Sequence, residues 1–417
     1  MLVNGERIWS RIEELGKIGI TPEGGISRFA FSPEDKLAIT KCIAWMREAG
    51  LKVRMDSVGN IYGRREGKEN GPVVLTGSHL DTVINGGKFD GAAGVVAAIE
   101  TLQVIEEQRI HTRLPIEIVI FVNEEGSRFS GGMMGSLAVT GCLAEDFPYK
   151  IKDNSGTLLA YEMKKYGAQP EYLNKARRKP GELKVFYELH IEQGNVLDDK
   201  NIPVGIVTGI AGPHQMKLKL FGRSGHAGGM LMKGRRDPLI AAAKIIQEVE
   251  RASIEASEAT RGTVGNVVVY PGGHNIIPGV VELTLDFRDI NINSRNQVVE
   301  RVKKYIYKVC EERGLTHELI DTQNVEPIVI NDIIIDLIDK AAKDSNITTI
   351  KLPSGAAHDA MIMSRLCPIG MIFVRSRGGL SHCPEEYTTK EDLAMGTQVL
   401  LNVLIKSADE VPNYGFF

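Results

Sequence analysis

Short apolar runs of strand length alternate with helical stretches through most of this 417-residue chain, and this alternation constrains its fold most strongly. Residues 73–76, 116–122 and 183–189 are apolar runs typical of buried strands, and a small-residue helical pattern at 91–107 separates the first two. Strands that alternate with helices pair in parallel and are covered by helices on both faces. The sequence therefore predicts an α/β domain with a mostly parallel central sheet.

The pattern changes near residue 211 and returns near residue 328. Residues 216–220 and 281–287 alternate apolar and charged side chains, which is typical of half-exposed strands, and helical stretches are interleaved with them. This order predicts a smaller α+β domain that interrupts the first one. We predict that residues 1–210 and 329–417 form the α/β domain and residues 211–328 the insert, since a chain of this length is expected to hold two or three domains.

Charge and composition exclude several kinds of partner. The chain has 50 basic and 53 acidic residues and 6% aromatic residues, which argues against nucleic acid or an anionic membrane as partner. It has no apolar run of about 18 residues, and its N-terminus lacks the apolar core of a signal peptide, so we expect a cytoplasmic protein without a membrane span. The five scattered cysteines, without a CxxC pair, argue against a disulfide scaffold or a cysteine zinc site.

Histidines and acids follow the predicted strands at four places in the α/β region. In open α/β sheets, ligands bind beyond the carboxyl ends of the strands, so we expect these side chains to converge. Glycines beside them suit a crevice in which the backbone approaches a ligand closely. The polar residues at the four strand ends are His79 with Asp81, Glu124 with Glu125, His190, and His382.

Imidazole and carboxylate groups are ligands that suit zinc, manganese, cobalt or nickel. The candidate ligands are His79, Asp90, Glu125, His190 and His382. Five ligands are too many for one open tetrahedral site, but they suit two ions if Asp90 bridges them. Two such ions would activate a water molecule and polarise a carbonyl group. Glu124 would then be free as general base, and Asp81 would orient the imidazole of His79.

Other catalytic motifs are missing from the sequence. It contains no GxSxG elbow, no HExxH and no phosphate-binding glycine motif, which disfavours a serine hydrolase and nucleotide cofactors. A non-catalytic protein that keeps the same fold is an alternative. That alternative predicts the loss of a metal ligand or of the base, whereas all six positions are present.

Six motifs carry a resemblance to a known family. GSHLDTV, GGKFDGAAG, NEEGSRF, ELHIEQG, SGAAHDA and GLSHCPEE occur in this order between Gly77 and Glu386. Together they resemble the dinuclear-metal aminoacylase and carboxypeptidase family. ELHIEQG narrows the resemblance to the branch of N-carbamoyl-L-amino-acid hydrolases, allantoate amidohydrolases and β-ureidopropionases.

The resemblance implies a hydrolase of non-peptide C–N bonds with two divalent ions per subunit. His79 and His190 would bind one ion, and Glu125 and His382 the other. Asp90 would bridge the two ions and Glu124 would be the base. The insert would be a lid that also forms a homodimer.

Several substrate contacts are also implied by the resemblance. His226, in GRSGHAGG, would reach the active site of the partner subunit and stabilise the oxyanion. Asn275 and Arg288 would bind the substrate carboxylate, a task that suits the planar fork of arginine. Relatives carry a proline shortly after the motif of His226, whereas this chain continues Gly229-Met230-Leu231-Met232. Further substrate contacts are implied for Gln193, Gly355 and Ala356.

The expected substrate is a small molecule with a carboxylate. We predict an N-carbamoyl-L-amino acid, hydrolysed to the amino acid, carbon dioxide and ammonia. Allantoate, N-carbamoyl-β-alanine and N-acyl-amino acids remain alternatives with the same two-metal mechanism, because the polarity of the pocket decides between them.

Overall fold

A computed structural model describes residues 2–409 of the chain. These residues fall into two compact units, which we call the larger and the smaller unit. The larger unit holds residues 2–208, Ile330–Leu352 and residues 358–409. The smaller unit holds Gly209–Val329 and Pro353–Ala357. We predicted that the insert begins after residue 210 and ends at residue 328, close to the observed bounds of Gly209 and Val329. The prediction placed residues 353–357 in the α/β domain, whereas this short segment clusters with the smaller unit.

The elements that the sequence pattern indicates occur in the predicted order, and the structure adds further helices and strands to them. The helices are α1 (Gly5–Leu15), α2 (Pro33–Glu48), α3 (Ala92–Glu107), α4 (Met134–Val139), α5 (Phe147–Lys150), α6 (Leu159–Tyr166), α7 (Val196–Asp199), α8 (Pro238–Ala256), α9 (Ile292–Arg313), α10 (Asp332–Lys343), α11 (Asp359–Met363) and α12 (Lys390–Asp409). Short 3-10 turns lie at Pro170–Ala176 and Arg377–Gly379. The strands are β1 (Lys52–Met55), β2 (Ile61–Arg65), β3 (Val73–His79), β4 (Ile116–Phe121), β5 (Leu183–Ile191), β6 (Val204–Ile210), β7 (Gly212–Phe221), β8 (Gly225–His226), β9 (Arg261–Tyr270), β10 (Ile276–Ile277), β11 (Val280–Asp289), β12 (Thr316–Asn324), β13 (Ile328–Val329), β14 (Thr349–Ser354) and β15 (Ile369–Val374).

The sheet of the larger unit is parallel at its centre and antiparallel at its edges. Its strands run in the order β1-β2-β4-β3-β5-β15-β6. The four strands β4, β3, β5 and β15 pair in parallel. The β1–β2 and β2–β4 pairs are antiparallel, and β6 pairs antiparallel with β15. The predicted α/β fold is confirmed, and its parallel part is the part that carries the polar strand ends.

Local sequence signals start the helices that flank this sheet. Ser32 caps α2, because its hydroxyl accepts the backbone N–H of Asp35 at 3.1 Å, and Pro33 occupies the first helical position. Helix α3 begins directly after Asp90 and Gly91 and is buried on nearly every side. Its small residues, mostly alanine, glycine and valine, allow the strands to approach closely.

The smaller unit is an antiparallel sheet with helices α8 and α9. Its strands run in the order β12-β7-β11-β9. Buried and half-buried residues alternate along β11, and its buried residues face the same apolar cluster as those of β7; Leu283, for example, lies opposite Leu218. This cluster includes residues of both helices, so the helices cover one face of the sheet. None of the helices within residues 2–409 has the length and apolarity that a membrane span requires.

Candidate metal centre

The carboxyl ends of the parallel strands carry most of the predicted ligands. His79 is the last residue of β3, and His190 is the second-last residue of β5. Glu124 and Glu125 follow β4, and His382 follows β15 in the loop before α12. Because the carboxyl ends of parallel strands meet at one edge of a sheet, these side chains lie together.

Asp90 lies at the middle of this group. Its Oδ1 atom is 3.1 Å from Nε2 of His190 and 3.6 Å from Nε2 of His79, and its Oδ2 atom is 3.1 Å from Nε2 of His382. Nε2 of His382 is also 3.8 Å from Oε1 of Glu125. Potential ligand atoms within 4.8 Å of one another form two groups, one of His79, Asp90 and His190 and one of Asp90, Glu125 and His382. Asp90 therefore belongs to both groups.

The tautomers of the two buried histidines fit a cation. Nδ1 of His79 is 2.9 Å from the carbonyl oxygen of Asp81, and Nδ1 of His190 is 2.9 Å from that of Ile191. A carbonyl oxygen only accepts, so each neutral imidazole carries its proton on Nδ1 and presents the lone pair of Nε2. Both lone pairs face the Asp90 carboxylate, an arrangement that a positive ion stabilises.

Glu125 supplies a second sign that the residues fit a cation. Its Oε1 atom is buried and has no hydrogen-bond partner among the described residues. Burial raises the pKa of the Glu125 carboxyl to about 7, and the neighbouring carboxylate of Asp90 adds to the shift. A divalent cation would stabilise the charged form of both acids. The donor set of imidazoles and carboxylates matches zinc, manganese, cobalt or nickel.

Glu124 lies beside the candidate ligands without belonging to either group. Its Oε2 atom is 3.7 Å from Nε2 of His79. Burial raises the pKa of the Glu124 carboxyl well above its usual range; the nearby imidazole of His79 opposes this shift, and the Asp359 carboxylate adds to it. A buried carboxyl with a raised pKa can hold a proton near neutral pH, as a general acid or base must.

Asp81 makes different contacts from those that we predicted. The atom that lies 2.9 Å from His79 Nδ1 is the backbone oxygen of Asp81, whereas its carboxylate is 3.8 Å away. The carboxylate instead accepts the backbone N–H groups of Glu124 and Glu125, each at 3.1 Å. Its side chain therefore holds the turn after β4, because the neighbouring strand end offers two free N–H donors.

Three residues at this edge have a left-handed backbone that is uncommon outside glycine. Asn123 has a φ of 54°, Gln193 of 55° and His382 of 58°. Asn123 directly precedes Glu124, and the other two are predicted site residues themselves. Non-glycine residues in this conformation cluster at functional sites, where the surrounding structure holds them.

Gln193, a predicted substrate contact, touches the central carboxylate. Its Nε2 atom donates to Asp90 Oδ2 at 2.7 Å and lies 3.4 Å from Nε2 of His382. Its Oε1 atom is buried without a hydrogen-bond partner among the described residues. This oxygen is therefore available to a ligand.

Glu386 is a site residue that the sequence analysis missed. Its Oε1 atom accepts the backbone N–H groups of Phe89 and Asp90 at 2.9 and 3.0 Å. The hydroxyl of Ser381 lies 2.7 Å from Glu386 Oε2 and 3.1 Å from Asp90 Oδ2. Glu386 thus fixes the segment that carries the central carboxylate. The sequence feature that could have indicated Glu386 is an acidic residue four positions after His382.

A further buried layer adjoins His190 and was also missed. Glu188, His190 and His358 bring potential ligand atoms together, and the rings of the two histidines are 4.5 Å apart. The Glu188 oxygens accept the Ser78 hydroxyl at 2.8 Å and the Ala360 N–H at 3.0 Å. Because both oxygens are already bonded within the protein, this layer supports the candidate ligand His190.

The remaining predicted residues belong to the smaller unit, where they form two groups. His226 is exposed and lies opposite Ile276 in the β8–β10 ladder, and the N–H of the next residue donates to the carbonyl oxygen of Asn275 at 2.9 Å. Arg288 donates from Nη1 to the carbonyl oxygen of Gly355 at 3.0 Å, and Ala356 directly follows Gly355.

Arg288 also has a partner that the sequence did not indicate. Its Nε and Nη2 atoms donate to the two carboxylate oxygens of Asp286 at 3.0 and 3.1 Å. Three of the five N–H bonds of the guanidinium are thereby engaged, and two remain.

The α/β sheet with histidines and carboxylates at its carboxyl edge defines a candidate metalloenzyme. The chain belongs to the family described as Peptidase family M20/M25/M40, whose sequence pattern matches residues 75–406. This membership confirms the family resemblance predicted from the motifs.

Individual relatives are similar over nearly the whole chain. The N-carbamoyl-L-amino acid amidohydrolase of Geobacillus stearothermophilus is 44% identical over 97% of this chain and 98% of its own length. The allantoate amidohydrolase of Bacillus subtilis (strain 168) is 35% identical over 95% of this chain and 96% of its own. The crystal structure of an amidase of the hydantoinase/carbamoylase family from Burkholderia multivorans matches with a TM-score of 0.93 and 32% identity, covering 98% of this chain and 99% of that one.

Proposed function

We propose that this chain is a metal-dependent amidohydrolase that cleaves the carbamoyl C–N bond of N-carbamoyl-L-amino acids. The observation that carries the proposal is the pair of overlapping ligand groups that share Asp90, with Glu124 beside them. The choice of substrate is supported by the similarity to the Geobacillus amidohydrolase.

The residues present would hold two divalent ions. His79, Asp90 and His190 would bind one ion, and Asp90, Glu125 and His382 the other. When bound, such ions polarise a carbonyl group and lower the pKa of a water molecule. Zinc, manganese, cobalt and nickel all suit these ligands.

Glu124 is the residue that would move protons. Its carboxylate would take a proton from the attacking water and then deliver it to the nitrogen of the leaving amino acid as the C–N bond breaks. The other product, carbamic acid, decomposes to carbon dioxide and ammonia. His226 would donate a hydrogen bond to the carbonyl oxygen as negative charge develops there.

The substrate carboxylate would be bound by residues of the smaller unit. Arg288 keeps two N–H bonds beyond those used by Asp286 and Gly355, enough for one carboxylate. Asn275 and the Gly355–Ala356 turn would add polar contacts, and Gln193 would offer its unpaired Oε1 atom. We infer that the smaller unit is a lid that also forms a homodimer; a strictly monomeric and fully active enzyme would contradict this.

Allantoate hydrolysis is the second candidate, favoured by the similarity to the Bacillus enzyme. Allantoate also presents a carboxylate and ureido groups, so the same residues would serve. Residues of the pocket, and not the metal centre, would then have to distinguish allantoate from an N-carbamoyl-L-amino acid.

A substrate panel tests the proposal. Ammonia release would be measured for N-carbamoyl-L-methionine, its D-enantiomer, allantoate and N-carbamoyl-β-alanine, and release of free methionine for N-acetyl-L-methionine, with zinc, manganese, cobalt or nickel added after chelation. We expect the highest kcat/KM for N-carbamoyl-L-methionine and no turnover before a metal is restored. A clear preference for allantoate would refute the first choice, and a chelated enzyme with unchanged rate would refute both.

A further inference from the structure

We infer that the turn after His226 holds this imidazole as the neutral tautomer with its proton on Nε2. Gly228 and Gly229 both donate their backbone N–H groups to Nδ1 of His226, at 3.1 and 3.0 Å. His226 is the residue that the proposed function assigns to the developing oxyanion, so this tautomer deepens that function and rests on it.

The direction of these two hydrogen bonds determines the tautomer. A backbone N–H can only donate, so Nδ1 must present its lone pair to both glycines. A neutral imidazole without a proton on Nδ1 carries it on Nε2. A proton on Nδ1 would point at the two N–H donors, and both hydrogen bonds would be lost. This is the opposite tautomer from that of His79 and His190, whose Nδ1 atoms face carbonyl oxygens.

Arg235 closes the turn that presents the two N–H groups. Its Nη2 atom donates to the carbonyl oxygens of Ala227 at 2.7 Å and of Met230 at 2.5 Å. The N–H of Met230 donates to the carbonyl oxygen of His226 at 3.1 Å, and the N–H of Ala227 donates to that of Asn275. The turn is therefore tied at both ends although it is exposed.

The two glycines contribute their backbone N–H groups, and the absence of a side chain is not required at either position. Neither has a left-handed φ, and a Cβ atom at Gly228 or Gly229 would come no nearer than 3.5 or 3.6 Å to the His226 ring, an ordinary contact. Alanine at either position would keep the N–H donor. Proline would remove it, and alanine is the control for the added Cβ atom.

The tautomer assigns a chemical role to His226. An Nε2–H group is a hydrogen-bond donor without net charge, suited to a carbonyl oxygen on which negative charge develops. The same atom has no lone pair with which to accept a proton, so the base remains Glu124. Gly228 and Gly229 are positioning residues that act through His226.

Nuclear magnetic resonance of the full-length zinc-loaded protein tests the tautomer directly. Selective ¹⁵N labelling of the nine histidines, with His226→Ala to assign its signals, distinguishes an unprotonated Nδ1 from a protonated one. We expect an unprotonated Nδ1 and a protonated Nε2 at His226. A proton on Nδ1 in the wild-type protein would overturn the inference.

Matched variants test the contribution of the glycines. Each N–H is expected to bias the tautomer equilibrium about fivefold, so Gly228→Pro and Gly229→Pro should raise the Nδ1–H population and lower kcat several-fold with little change in KM. Gly228→Ala and Gly229→Ala should keep the wild-type tautomer, and alanine variants that shift it as much as the proline variants would overturn the inference. If the wild-type protein shows the Nε2–H tautomer but His226→Ala is fully active, the inference about the tautomer is supported. The proposed role of His226 in catalysis is then refuted.

Discussion

Individual side chains at the carboxyl edge have distinct surroundings although they are adjacent in sequence. Glu124 and Glu125 are consecutive, and the Asp81 carboxylate holds both of their N–H groups. Glu125 lies within one ligand group, whereas Glu124 belongs to neither. Their shared turn therefore places one carboxylate in a candidate ligand group and leaves the other outside both groups, where the proposed function assigns it proton transfer.

Exchanging each acid for its amide should separate these two tasks. Glu124→Gln is expected to lower kcat by roughly 10²–10⁴-fold while the bound metal content stays at the wild-type level, since only the proton-transfer group is lost. Glu125→Gln is the matched control and should reduce the metal content as well as activity, measured by elemental analysis. A Glu124→Gln enzyme with wild-type kcat would show that another group is the base.

Among the elements, the junction between β3 and α3 places the tightest demand on the backbone. Gly91 caps α3 with a φ of 62°, and a Cβ atom there would lie 2.5 Å from the His79 ring. Further along α3, a Cβ atom at Gly94 would lie 2.2 Å from the carbonyl oxygen of Leu189 in β5. Helix α3 can start beside the candidate ligands only because these positions lack side chains.

A single methyl group at Gly91 should therefore disturb both stability and metal binding. Gly91→Ala combines an unfavourable φ with a clash and is expected to lower the free energy of unfolding by about 2–4 kcal/mol, measured with urea, and to reduce metal content. Gly24 has a φ of 88° with nothing within 4 Å of a Cβ atom, so Gly24→Ala is the matched control and should cost only about 1–2 kcal/mol. Equal losses in the two variants would mean that the contact with His79 does not matter.

For the molecule as a whole, the buried charge is concentrated in one of two units. The larger unit buries the acids of the candidate metal centre, including Asp81, Asp90 and Glu124. The smaller unit has an apolar cluster of its own between its sheet and its two helices. Metal binding should therefore stabilise the two units unequally.

Hydrogen exchange on the full chain, with and without a chelator, measures this difference. A metal present at about a thousand times its Kd stabilises the folded state by about 4 kcal/mol per site. We expect faster exchange in β3, β5 and the start of α3 after chelation, restored by adding metal back. The core strands β7 and β11 should keep their protection, and an equal loss in both units would show that they unfold together.

The sequence by itself determined the order of elements, the two kinds of domain and the residue types of the candidate centre. These features are local: strand and helix periods, and polar residues directly after apolar runs, depend on neighbours in the chain. Family motifs added the grouping of ligands and the substrate contacts, because they preserve residue types at fixed positions.

Only the tertiary structure decided which atoms meet. It pairs the Asp81 carboxylate with the turn after β4, Arg288 with Asp286, and Glu386 with the backbone of Phe89, 297 positions away. It also directs His226 Nδ1 toward two N–H donors and His79 Nδ1 toward a carbonyl oxygen. The partners of Asp81 and Glu386 meet because distant segments pack against each other. The partners of Arg288 and of the two histidines lie within three positions along the chain. They depend on the backbone conformation and on the direction of each hydrogen bond, which residue types alone do not encode.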